Sequence, residues 1–250
     1  MGTRDWCYIE VGGSGSQTAV RGPSGDFAFS AGVAPIPGRQ IALACPGVVA
    51  GGRVRYATNL GWPADADPGL ALGIGPIALV ANDAVAAALG ESALRAGDAP
   101  AVALRYVALG TGVGSARVDG GVARDLDLGH RPMGGTRRCA GCGAVGCLDT
   151  LLAARWLPPM LGPDDLACIA RTLAAALRAT EHGTGTPLVL GGGIARRYPM
   201  LVALLAARRP YPVWPSRAPA AAKSAAYAGL EVLARRRAAP PAPGRSPCPT

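Results

Sequence analysis

Residues 128–151, LGHRPMGGTRRCAGCGAVGCLDTL, restrict the fold more than any other stretch. They gather one of two histidines, His130, and three of seven cysteines, Cys139, Cys142 and Cys147, within eighteen residues. Glycines separate these side chains, which lets the backbone close around a small object. Three thiolates and one imidazole make a complete tetrahedral set for zinc, with soft donors and no position left open for water. Such a site fixes a loop and leaves catalysis to other groups. The plainer alternative is two buried cysteines beside an unrelated histidine, but CxxC followed by GxxGC leaves little apolar packing for it. A Cys139–Cys142 disulfide would close a very small loop, and nothing else in the chain points to an oxidising compartment.

A chain of 250 residues suffices for one large domain or two smaller lobes. It has no run of about eighteen apolar residues, and its first residues lack the organisation of a signal peptide. The expectation is a cytoplasmic protein without a membrane partner. The formal charge of +9 raises nucleic acid as a partner. Against that, the charge is dispersed and mostly arginine. Arg235, Arg236, Arg237 and Arg245 fall in a Pro/Ala-rich stretch expected to be disordered. Aromatic residues make up only 5%, too few for stacking platforms. No nucleic-acid partner is expected.

The chain opens with a buried strand over residues 6–11, a GGSGSQ turn and a second strand at 18–20. Small residues at Gly12, Gly13 and Ser14 let backbone N–H groups approach phosphate oxygens. Strands follow at 28–29 and 40–44, and the Pro-rich link 31–39 is too short for a crossover helix. Residues 63–75 read as loop with at most one turn of helix. A strand at 77–80 leads into a helix that begins at residues 81–83 and runs to about 96. Asp83 thus sits at a helix N-terminus beyond a strand's carboxyl end, where open α/β sheets bind ligands; an ordinary helix cap is the alternative.

A strand over 101–109, a turn with Gly110, Thr111 and Gly112, and a strand at 115–118 repeat the first hairpin about a hundred residues later. The repetition predicts two duplicated α/β lobes with nucleotide between them. Helical spacing covers 148–156 and 163–181, with Leu166, Ile169, Ala170, Leu173 and Leu177 on the core face and Cys168 assigned to the core. A strand at 186–190 enters Gly191, Gly192 and Gly193, a helix start against which adenine or ribose can lie. A short strand at 211–213 and a helix over 220–234 complete the pattern.

The GH pair, CGxxGCL and the acid after it resemble the zinc loop of the ROK family, which includes bacterial sugar kinases and related repressors. VANDAVAAALGE resembles the same family's NDAxxAALGE segment, and the opening EVGGS its acid-hydrophobic-GG-Ser/Thr motif. The resemblance covers most of residues 6–235, with two internal deletions, and implies the actin-like ATPase (ribonuclease H-like) fold. One lobe would span residues 1–98 and the other, carrying the zinc loop, 99–237, with a disordered tail at 238–250 and a nucleotide/sugar cleft between the lobes. It implies Asp83 as the general base. Asn82, Asp127, His130 and Asp149 would hold sugar hydroxyls, His130 with one ring nitrogen on zinc. Glu10 stands where the family has an Asp that helps position Mg²⁺, and Ser14 and the three glycine clusters face ATP. The family usually has Glu at the positions of Asp127 and Asp149, CxC at the first cysteine pair, and often Lys or Arg where Gln17 stands. The segment between Asp149 and the three glycines is about half the usual length. Helices of the dimer interface often lie there, so a homodimer is an open expectation.

The implied activity is ATP-dependent phosphorylation of a hexose-type sugar on its primary hydroxyl, with Mg²⁺ as cofactor and zinc as structural metal. The shortened acids keep an amino sugar, a mannose derivative or a cyclitol as rival substrates. GGSG also resembles the first loop of polyphosphate glucokinases, which keeps polyphosphate as a rival donor. A sugar-binding pseudokinase is the non-catalytic alternative.

Overall fold

The computed structural model describes residues 5–97, 99, 101–180 and 185–239. Its first sheet grows from β1 (Trp6–Gly12), whose side chains alternate between two cores as a period of two requires. Trp6 and Tyr8 enter one apolar cluster, and Cys7, Ile9 and Val11 enter another. β2 (Gly15–Arg21) and β3 (Phe27–Ala31) add antiparallel strands on one side. β4 (Gln40–Cys45) pairs parallel on the other, followed, after the small β5 (Val48–Ala50)/β6 (Arg53–Tyr56) hairpin and the one-turn α1 (Pro68–Leu72), by β7 (Leu79–Asn82). The strand order is β3-β2-β1-β4-β7. As expected, no helix lies between β3 and β4.

α2 (Asp83–Ala96) then leads to β8 (Leu104–Leu109), β9 (Val113–Asp119) and β10 (Val122–Asp125). After the cysteine loop come α3 (Asp149–Leu152), α4 (Pro163–Arg178), β11 (Leu188–Gly191), α5 (Gly192–Arg197), α6 (Met200–Ala206), β12 (Val213–Pro215) and α7 (Ala226–Ala238). The second sheet runs β10-β9-β8-β11-β12, with antiparallel pairs at one side and parallel pairs at the other, the same sequence of pairings as the first. Both sheets are mixed and belong to an α/β fold. α2 packs on β8, β9 and β10, whereas α7 packs on β1 and β4, and the two helices cross between the sheets.

Several boundaries differ from the sequence reading. The last helix begins at Ala226, six residues later than Ala-rich propensity suggests, because side chains of β1 and β2 bond the preceding turn and bend. Arg235, Arg236 and Arg237 belong to that helix; Arg235 pairs with Glu231 and Arg236 donates to the Gly121 carbonyl. Arg245 and residues 240–250, the body of the expected tail, lie outside the described residues. Cys168 is exposed on the outer face of α4, while the five core positions named from spacing are buried. Among the described residues, no helix is long and apolar enough to cross a membrane.

Candidate active site

The two glycine hairpins meet tip to tip. Gly12 and Gly15 pair across a two-residue turn of Gly13 and Ser14, and a Cβ on Gly13 would come 2.7 Å from Thr111 Cγ2. In the second hairpin the Gly110 amide donates to the Gly112 carbonyl at 3.0 Å. Gly191 and Gly192 lie hard against Tyr106 and Leu109 of β8, so the chain's own packing accounts for both glycines, and Gly193 alone faces open space.

Asp83 is the first residue of α2, and Asn82 caps it: the Asn82 Oδ1 accepts from the Val85 amide at 3.1 Å and Nδ2 donates to the Gly47 carbonyl at 2.9 Å. Capping therefore falls to Asn82, and the Ala84 amide donates to the Asp83 carboxylate at 2.8 Å. Burial pushes the Asp83 carboxyl above the usual carboxylate range; the Ala84 amide and Lys223 pull against that, and the Asp125 charge adds to it. Glu10 lies near enough to interact with Asp83, and its carboxyl is likewise raised by burial. Its two oxygens are engaged by Ser224 Oγ, donating at 2.9 Å, and by Lys223 Nζ at 3.7 Å.

A cavity of about 430 Å³ opens at Asn82, the residue before Asp83, between the β5/β6 hairpin, the end of β7 and β10. Asn82 and Asp125 are its polar lining. Asp125, which the sequence analysis does not single out, lines this cavity two residues ahead of Asp127, the acid named from the resemblance. The signal was the ARDLDLGH run, in which two acids two residues apart offer alternative positions. Asp127 adopts a left-handed conformation (φ 49°) and donates its amide to Asp125 Oδ1 at 2.8 Å. Asp149 is also not on the cavity wall. It is 5% exposed, and its Oδ1 accepts from the Val113 amide at 2.9 Å, so it supports the second hairpin from below. Arg155, absent from the sequence reading, donates to the Thr111 carbonyl and to Asn59 Oδ1, tying the residue 57–62 loop to that hairpin.

The four zinc candidates converge. Ligand atoms of His130, Cys139, Cys142 and Cys147 all lie within 4.8 Å of one another. His130 Nδ1 is 3.4 Å from Cys139 Sγ, and the Cys142 and Cys147 sulfurs are 3.5 Å apart. Sulfurs on one tetrahedral zinc stand about 3.7 Å apart, so the donor set and its spacing fit the ion. Bridges Pro132–Cys147 and Arg138–Val145 pin the loop. Burial and then the neighbouring thiols push Cys147 up to about 12, a crowding that a bound cation reverses. The loop also reaches the first half of the chain: Thr58 Oγ1 donates to the Gly141 carbonyl at 3.1 Å.

A model of the ROK family matches residues 36–186, more than half of the chain. The chain belongs to the ROK family. No curated protein matches this ROK protein in sequence. Among solved structures it is similar to a ROK family glucokinase from Streptomyces griseus in complex with glucose and AMPPNP, at TM-score 0.71 and 19% identity, covering 92% of this chain and 99% of that one. It is similar to an inorganic polyphosphate/ATP-glucomannokinase from Arthrobacter sp. strain KM, at TM-score 0.68 and 21% identity over 92% and 99% of the two chains. A ROK family transcriptional regulator, homologous to the Escherichia coli MLC protein, gives 0.65 and 17% over 93% of this chain and 79% of that chain. At these identities, the TM-scores show that this ROK protein and the three others share a fold.

Proposed function

We propose that this ROK protein is a sugar kinase that transfers the terminal phosphoryl group of ATP to the primary hydroxyl of a hexose-type sugar. The observation that carries the reading is the position of Asp83. Its carboxylate stands at the start of α2, one residue after the Asn82 that lines the cavity, and within electrostatic reach of Glu10 and Lys223 at the first hairpin. Phosphoryl transfer asks a protein chiefly for alignment and charge neutralisation. Residues 1–98 and 99–237 would act as the two lobes around that cleft.

In this reading Asn82, Asp127 and His130 hold the sugar hydroxyls, joined by Asp125. Asp149 acts indirectly by holding the second hairpin. Gly12, Gly13, Ser14, Gly110, Thr111 and Gly112 offer backbone and hydroxyl donors to the phosphates, and Gly193 leads the three-glycine turn toward the nucleoside. The Asp83 carboxylate takes the proton of the sugar's primary hydroxyl. The freed oxygen bonds to the γ-phosphorus while the bond from that phosphorus to the β–γ bridging oxygen breaks, and ADP leaves with the electron pair. Glu10 is the residue that would hold Mg²⁺, which would supply charge neutralisation to the phosphates. His130, Cys139, Cys142 and Cys147 would hold zinc, which fixes the loop and the direction of the His130 ring; with Nδ1 facing the sulfurs, Nε2 is the nitrogen left for a hydroxyl.

The test is a coupled ADP-release assay on zinc-replete protein with Mg-ATP and a panel of hexoses, amino sugars and cyclitols. Release stimulated by one compound and lost in Asp83→Asn supports the kinase and names its substrate class. Polyphosphate replaces ATP as donor if only the former supports product formation. A sugar that raises the melting temperature without turnover on either donor would establish a non-catalytic sugar sensor instead.

A further inference from the structure

We infer that Lys223 is a phosphoryl-binding residue of the cleft, delivered to the first hairpin by the loop ahead of α7 and held there by Glu10. It is the only lysine in the chain; every other basic residue among the 25 Lys and Arg is an arginine. In a sequence so committed to arginine, the single ammonium lies at the first glycine hairpin. Its Nζ is 3.7 Å from Glu10 Oε1 and packs so closely on Gly12 that a Cβ there would overlap it. A compact ammonium fits this narrow space, and a planar guanidinium does not.

The backbone that carries Lys223 is strapped from two sides. From β2, Gln17 Oε1 accepts from the Lys223 amide at 2.6 Å and its Nε2 donates to the Ala221 carbonyl at 2.7 Å. From α5, the Arg196 guanidinium donates to the carbonyls of Ala220, Ala222 and Lys223 at 3.4, 2.8 and 3.1 Å. Three side chains from distant parts of the sequence, Gln17, Arg196 and, through Ser224, Glu10, thus keep one lysine at one spot. Gln17 and Arg196 bond the backbone around Lys223 and not the ion pair, so what they fix is where the ammonium is delivered. The Lys223 side chain is 27% exposed, so its ammonium can turn from Glu10 toward a ligand. Three donors and a positive charge beside a turn of small residues suit the oxygens of a phosphoryl chain. That chemistry is common to a nucleoside triphosphate and to linear polyphosphate.

This inference rests on the proposed kinase reading for the identity of the reaction, but it is tested by binding. Reductive methylation with ¹³C-formaldehyde keeps the charge and gives Lys223 a single side-chain NMR signal beside that of the terminal amine; Lys223→Met identifies it by its loss. The expected result is a shift of that signal with ATP and with inorganic tripolyphosphate, and none with adenosine. In unmodified protein, Lys223→Met should bind ATP and tripolyphosphate at least tenfold more weakly while keeping its adenosine affinity and melting temperature, and Lys223→Arg should recover only part of the loss. A response to ATP alone assigns the nucleotide as source, and a response to both assigns the phosphoryl chain itself. A signal that neither phosphate moves, or unchanged triphosphate binding by Lys223→Met, overturns the inference even if sugar-stimulated turnover is found. A shifted signal without turnover on any sugar overturns the kinase reading and leaves this one standing.

Discussion

Gly90 of α2 and Gly229 of α7 meet backbone to backbone where the two helices cross. A Cβ on Gly90 would overlap the Ala225 carbonyl oxygen, and one on Gly229 the Ala86 carbonyl oxygen. The contact sets the spacing between the helix that begins with Asp83 and the helix that follows the Lys223 loop. Gly229→Ala should therefore destabilise by about 3 kcal/mol, the upper part of the range for overpacked sites, and should lower turnover beyond what the lost fold explains. Urea unfolding beside the ADP-release assay checks both.

Asp83→Asn should lower kcat by roughly 100- to 10,000-fold, the usual contribution of a general base, while sugar binding by calorimetry stays near wild type.

The pH dependence follows from the same residue. Burial holds the Asp83 proton more tightly in the folded chain than in the unfolded one. Its contribution to stability is present below the unfolded value and is lost as pH rises through the higher folded value. Asp83→Asn should thus be more stable at neutral pH, by on the order of 1 kcal/mol, or about 2–4 °C in Tm. In wild type, kcat/KM should rise with pH along an acid limb displaced above the ordinary carboxylate range. A limb at the position of a free carboxylate would remove Asp83 from the base role.

Zinc removal should act on two places at once. Metal analysis is expected to give one zinc per chain, lost as pH falls and the thiolates protonate. Cys147→Ser or a strong chelator should lower Tm and also raise KM for the sugar, because the loop holds both His130 and, through Gly141, Thr58.

Arg155→Ala should separate binding from folding. Its guanidinium bridges Thr111 and Asn59 from an exposed position. Stability should stay within about 0.5 kcal/mol. KM should rise roughly tenfold, the scale of one charge-assisted hydrogen bond at about 1.5 kcal/mol. Melting curves and initial-rate kinetics on the same preparation suffice.

What was legible in the sequence is what local chemistry determines. The paired hairpins, the helix start at Asp83 and the cysteine cluster are short-range patterns, and the folded chain keeps each of them. What was hidden depends on residues far apart. Nothing near Lys223 in the sequence marks it; its place is decided by Gln17 and Glu10, more than two hundred residues earlier. Gln17 and Glu10 themselves read only as departures from the family pattern until the loop they hold is seen. The Ala-rich run before α7 has the propensity of a helix, and these same long-range hydrogen bonds override it. Asp149 and Asp125 take their positions from pairings that local sequence does not show. The carboxylate of Asp149 meets the hairpin amide of Val113, and the alternation along β10 turns Asp125 to the cavity.

The crossed helices also decide how the polypeptide can be cut. The core cluster between the sheets draws Trp6, Tyr8 and Ala86 from before residue 98 and Leu104, Tyr106 and Leu230 from after it. Each half lends a helix to the sheet of the other, so a nick after α2 would sever the peptide without dividing the folded body. Two co-expressed fragments, 1–97 and 99–250, should each be insoluble alone and reassemble when they meet. The molecule thus contains the design of a split reporter, in which recovered turnover reads out the proximity of whatever is fused to the new ends.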